Sequence, residues 1–153
     1  MTLNEVIRPF FKGNEWAVRL IDDLFAVWHI WDDLIDKDKP VSDEQINQAF
    51  ILAFVNIPRN VFYQTHFSIL NPIMENVIIN WLASVKLENG NNQLDIAFDL
   101  RNSYVNMVTA CANIIGGPEW AAQVSIAAHQ ALRKVETYET YVQSIQMQNE
   151  GQS

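Results

Sequence analysis

Apolar residues recur at intervals of three and four along nearly the whole chain, and the strict alternation that marks half-buried strands is scarce. That spacing predicts an all-α fold. Thr2 and Glu5 have the form of a capping box opening a short first helix, and Gly13-Asn14 marks a break before a second helix that reaches about residue 37, with Pro40 enforcing the stop. In "VSDEQI", Ser42 is placed as an N-cap, Gln45 as its partner at the third helical position, and Val41 and Ile46 as a hydrophobic staple. Pro58 is expected to close that helix, Asn60 or Pro58 to open a short one through residue 67, and Asn71-Pro72 to begin another running to about Lys86. "ENGNN" at 88–92 reads as loop, and residues 93–115 read as one continuous helix ended by Gly116-Gly117, after which Pro118 opens the last helix. The expected architecture is a bundle of five to six helices forming a single domain over residues 1–153.

Two of these helices carry unusual polar patterns. On the second, at about 100° per residue, Leu20, Ile21, Leu24, Trp28, Trp31 and Ile35 gather on one side. Asp22, His29, Asp33 and Asp36 gather on the other, with Asp32 at the border. A solvated face normally mixes both signs of charge, yet after Arg19 this face has no cation until Lys37. Carboxylates at a helix C-terminus also oppose its partial negative charge. On the helix at 93–115, Asp95, Asp99, Asn102, Asn106, Thr109 and Asn113 fall within roughly 80°, with Ser103 at the edge and Arg101 interrupting an otherwise apolar remainder. A stripe of short polar groups on so apolar a helix is expected to look into the protein or a cavity, where each group needs a partner. Asn76, Asn80 and Ser84 repeat the theme on the preceding helix. An interhelical hydrogen-bond network accounts for both stripes as well as a polar cavity does.

Composition narrows the functions available. A net charge of −8 and a pI near 4.7, with Arg133-Lys134 the one adjacent basic pair, argue against a nucleic-acid partner. The single Cys111 excludes an internal disulfide and suits a reducing compartment, and no CxxC or HxxxH spacing suggests structural zinc. The first residues lack the basic start and apolar middle of a signal peptide, and no run approaches the roughly 20 apolar residues of a membrane span. The expectation is a cytoplasmic protein with no membrane partner. Five tryptophans and eight phenylalanines supply large apolar surfaces, some of them expected at an interface with another protein or a second copy.

Asp32-Asp33-Leu34-Ile35-Asp36 resembles the DDxxD motif of class I isoprenoid (terpenoid) synthases. In that all-α family the motif sits near a helix end and binds Mg²⁺ bridging a substrate diphosphate. The resemblance implies Asp32, Asp33 and Asp36 as metal ligands. Asp95, Asp99 and Ser103 are similar in spacing to that family's second metal-binding helix, although the residue types are out of order and no glutamate appears. His29, Asn102, Ser103 and Asn106 would then border a diphosphate ligand whose oxygens Arg101, Arg59 or Lys37 would meet. The resemblance covers one five-residue motif and a helix pattern, and the synthases are substantially longer. Asp33/Asp36 and Glu136/Glu139 are also loosely similar to the paired acids of all-α nucleotide pyrophosphohydrolases. "WDDLIDKDKPVSDE", "LNPIMENVIINWL" and "NSYVNMVTACANIIGGPEW" resemble small proteins of tailed bacteriophages that have no assigned activity.

Two readings stand at this point. In the first, the chain is a non-catalytic interaction or accessory protein that docks a protein partner or itself through aromatic surface. In the second, it is a Mg²⁺-dependent diphosphate-binding protein or enzyme whose aspartate-rich helix faces the Asp/Asn stripe. No nucleophile elbow supports covalent catalysis.

Overall fold

A computed structural model of the protein describes residues 3–37 and 39–151, which are helical throughout with no strand among them. Backbone contacts gather into two compact units, Met1–Ser68 and Ile69–Ser153.

The first unit contains α1 (Leu3–Phe10), α2 (Glu15–Asp36), α3 (Asp43–Ile51), a wide π turn (Leu52–Asn56), α4 (Ile57–Arg59) and α5 (Val61–Thr65). Its centre is the first half of α2, where Ala17, Val18, Leu20, Ile21 and Leu24 are buried at helical spacing. Ile7 and Phe11 close on it from the first helix and its turn, Leu52 and Ile57 from the π turn and α4, and Phe62 and Tyr63 from α5. Beyond Leu24 no residue of α2 is buried, and Ile35, expected on the apolar side, is 47% exposed. Asn14 caps α2 by accepting from the Ala17 amide at 3.0 Å, and Lys37 ends it in the left-handed region, its N–H donating to the Asp33 carbonyl. Ser42 and Gln45 form the expected reciprocal capping box. Thr2, the expected cap of the first helix, lies outside the described residues.

Pro58 does not close the helix. The Ile57 N–H reaches back five residues to the Leu52 carbonyl, and the helix carries Pro58 on through Arg59. In a regular helix the proline would crowd the Phe54 carbonyl and offer it no donor. The wide turn just before it absorbs that conflict. Leu52 and Ile57, which would lie about 140° apart in a straight α-helix, are thereby both brought to the buried side.

The second unit contains α6 (Phe67–Asn89, from Ile69 onward), α7 (Leu94–Arg101), a 3₁₀ turn (Asn102–Tyr104), α8 (Val105–Gly116), α9 (Pro118–Val135) and α10 (Tyr138–Gly151). α8 and α9 pack as a hairpin, Val105, Met107, Val108, Cys111 and Ala112 against Ala121, Val124 and Ala128. Gly117 links them at φ +85°, and a Cβ on Gly116 would lie 2.4 Å from the Trp120 ring, so the indole fits only against a glycine. α10 packs on α7 through Ala97, Phe98, Tyr141 and Ile145.

Because the π turn joins α3 to α4 and the 3₁₀ turn joins α7 to α8, the described residues form eight continuous helical runs, more than the five to six expected. Part of the undercount lies at Glu136-Thr137, where one expected helix becomes two. Thr137 and Thr140 exchange amide-to-hydroxyl bonds at 3.1 and 3.2 Å, which caps α10 as a fresh start. α6 also begins five residues before the expected Asn71-Pro72 and runs past Lys86 to Asn89, so Glu88 and Asn89 are helical and not loop.

Candidate functional site

The acidic helix end belongs to the first unit. Asp32, Asp33 and Asp36 are half-buried, and no basic residue occupies the last turn of α2. Asp22, further up the same polar row, accepts from Asn4 Nδ2 at 2.7 Å, and Asn4 in turn accepts from Arg8 Nε at 2.8 Å. Arg8 pairs with Glu15. That part of the row fastens α1 to α2. Burial, helped by the neighbouring Asp22 charge and opposed by Arg19, raises the Asp23 carboxyl above the usual range. His29 is exposed, and its Nδ1 lies 3.3 Å from the Phe25 carbonyl one turn back, a local backbone contact. Among the described residues, no three His, Cys, Asp or Glu side chains converge into a group that could hold a metal ion.

The polar stripe expected on a continuous helix over 93–115 lies wholly in the second unit and is divided. The 3₁₀ turn at Asn102–Tyr104 advances about 120° per residue in place of about 100°, so α8 leaves it rotated by roughly 60° relative to α7. Asp95 and Asp99, exposed on α7, line an open pocket of about 390 Å³ with Phe98, Arg133, Tyr138 and Glu139. The Arg133 guanidinium sits 4.3 Å above the Phe98 ring there. Asn106, Thr109 and Asn113 on α8 instead line an open groove of about 730 Å³, together with Asn76 of α6 and Ser125 of α9 over Ile73, Ala110 and Ala121. Asn102 Nδ2 and Ser103 Oγ, within the 3₁₀ turn, are buried atoms with no hydrogen-bond partner among the described residues.

The stripe on α6 sinks progressively. Asn76 is exposed, Asn80 half-buried and Ser84 buried. Asn80 donates to Asn76 at 3.4 Å and Ser84 to the Trp81 carbonyl at 2.6 Å, bonds within one helix and not between helices. Glu136 and Glu139 do not share a helix, since Glu136 falls in the break between α9 and α10.

Arg101 is already engaged. Its Nη1 lies 2.5 Å from Glu88 Oε2, which also accepts from the Tyr141 hydroxyl at 2.6 Å, and the Arg101 guanidinium sits 5.6 Å from the Tyr141 ring centre. Asn149 donates to the Glu88 carbonyl at 3.2 Å. Glu88 is 5% exposed, and this cluster locks α10 onto α6 and α7. Burial first, then the bond to Glu88 and its charge, push the Tyr141 hydroxyl far above its ordinary pKa. Tyr104 is pushed up to about 12, by burial and the Glu136 charge. Cys111, fully buried, is also held at about 12 by burial, which leaves it a thiol without nucleophilic character.

One apolar surface is not singled out by the helical pattern of the sequence. Along the continuous run 43–59, Leu52 and Ile57 are buried and Ile46, Ala49 and Ala53 half-buried, while Phe50, Ile51, Phe54 and Val55 face outward. Phe54 is 72% exposed and Phe50 55%, with ring centres 5.6 Å apart. The signal was present in "AFILAFV", where apolar residues fill more of the wheel than one buried face can use. No helix among the described residues is long and apolar enough to cross a membrane. Comparison of the chain with protein-family models, with curated proteins and with solved structures finds no match.

Proposed function

We propose that the protein is a non-catalytic interaction module that docks another protein surface through the outward face of the 43–59 run. The observation that carries this reading is the exposure of Phe50, Ile51, Phe54 and Val55 together on one continuous helical run whose opposite face is packed on α2. That face offers on the order of 400 Å² of apolar surface, comparable with the largest patch on a typical monomer and often functional at that size. Aromatic side chains bring large contact area with few torsions to freeze, which makes them effective anchors.

The test places a photoreactive benzoylphenylalanine at Phe54 and, as control, at Gln143, an exposed polar position of α10. Illumination in cells should give a discrete adduct from position 54 and none from position 143. Replacing Asp32 and Asp36 together by alanine should leave the adduct unchanged. Loss of the adduct in that variant, or equal crosslinking from both positions, would refute the reading.

A further inference from the structure

The outward face of the 43–59 run carries its own complement. Asp43 and Glu44 lie in the first turn of α3, and Arg59 lies in the last turn of the same run, all three exposed. The midpoint between Glu44 and Arg59 falls between Ile51 and Leu52, and the midpoint between Phe50 and Phe54 falls at Leu52. A two-fold axis through that point, perpendicular to a helix about 25 Å long, would set two copies antiparallel. It would bring Phe50 of each copy against Phe54 of the other, and in the same register, to within one residue, Glu44 of each against Arg59 of the other. Two independent features of the sequence thus select one alignment.

We infer that the partner for this face is a second copy of the chain, joined through an antiparallel pairing of the 43–59 runs. An isologous interface requires a patch that is self-complementary under a two-fold rotation, and both the aromatic centre and the charged ends meet that condition. Antiparallel helices also set opposite ends of their dipoles side by side. A different partner would gain nothing from the symmetric placement of acid and base about the aromatic pair. With on the order of 400 Å² from each copy, the contact lies below the roughly 1,200 Å² total of a stable interface, so the dimer forms and dissociates readily in the micromolar range.

This assignment rests on the docking role proposed above and is separable from it by sedimentation velocity on the purified 153-residue chain. The wild type should pass from monomer to dimer over a concentration range from micromolar to submillimolar. Phe50→Ser with Phe54→Ser should stay monomeric, with circular dichroism confirming an unchanged helix content. Arg59→Glu and Glu44→Arg should each weaken dimerisation about tenfold, since two exposed ion pairs turn from attraction to repulsion. Mixing these two single variants should restore association, because each then supplies the charge the other lacks. A wild type monomeric throughout, a dimer indifferent to the phenylalanine changes, or a mixture no tighter than its components would overturn the inference. A monomeric wild type that still gives an adduct from position 54 to a chain of different mass would overturn the two-copy assignment and leave the docking role standing. Absence of any adduct would remove both.

Discussion

Glu88 receives a guanidinium and a phenolic hydroxyl on the same oxygen while almost wholly removed from water. A carboxylate in that position is tolerable only while both donors remain. Glu88→Ala is therefore expected to lower unfolding stability by about 3–5 kcal/mol, since it strands the Arg101 charge. Tyr141→Phe removes one hydrogen bond to a charged acceptor and should cost about 1.5–3 kcal/mol. Urea denaturation of the two variants and their combination checks the coupling: the double variant should lose clearly less than the sum, and strict additivity would show that the two contacts act separately. The sequence held a clue to Glu88 that its neighbours masked. Leu70, Val77, Ser84 and Glu88 continue one buried stripe at steps of seven and four, but "ENGNN" has the composition of a turn, and ending the helix at Lys86 cuts the stripe one residue pair short. Arg101 stands out in the sequence as a cation interrupting an apolar surface. Its partner could be found only by packing, because thirteen residues and a turn separate them.

Several element ends set by side chains close in the chain were legible, although the Thr137–Thr140 exchange that starts α10 was not. Asn14, Ser42 with Gln45, and the Gly117-Pro118 junction all stand where local chemistry places them. Other breaks were not legible: Pro58 signals a disturbance but not that a wide turn would absorb it and let the helix continue, the 3₁₀ turn at Asn102–Tyr104 has no local signature, and each changes which side chains share a face. The second of these separates the aspartates of α7 from the asparagines of α8, which is why a stripe continuous on a wheel lines two different openings. At the α8–α9 hairpin, Gly116→Ala should displace the Trp120 ring and lower stability by about 1–3 kcal/mol through overpacking. Near-ultraviolet circular dichroism and a denaturant titration would register both effects, and unchanged signals would show that the indole can move aside at no cost.

At the scale of the whole molecule, net charge and apolar surface act against each other. A charge of −8 makes copies repel at neutral pH and so limits their association to the weak pairing inferred above, whereas near the pI of about 4.7 that repulsion vanishes and exposed phenylalanines are left to aggregate. Turbidity is expected to peak near pH 4.7 and to fall markedly in the variant carrying Phe50→Ser and Phe54→Ser; an unchanged peak would place the aggregating surface elsewhere. The division into two compact units was invisible in the sequence because it falls between Ser68 and Ile69, inside α6, where no glycine- or proline-rich linker announces it. One consequence of the turn at Leu52–Asn56 concerns chain length. Leu52 and Ile57 stack because five residues make a single wide loop; with one residue fewer between them, an ordinary four-residue loop would stack them almost as well. A deletion at 54 or 55 would keep that stacking but return Pro58 to an ordinary turn, its ring against the carbonyl four residues back, so the surplus residue is the slack that lets the helix carry its proline.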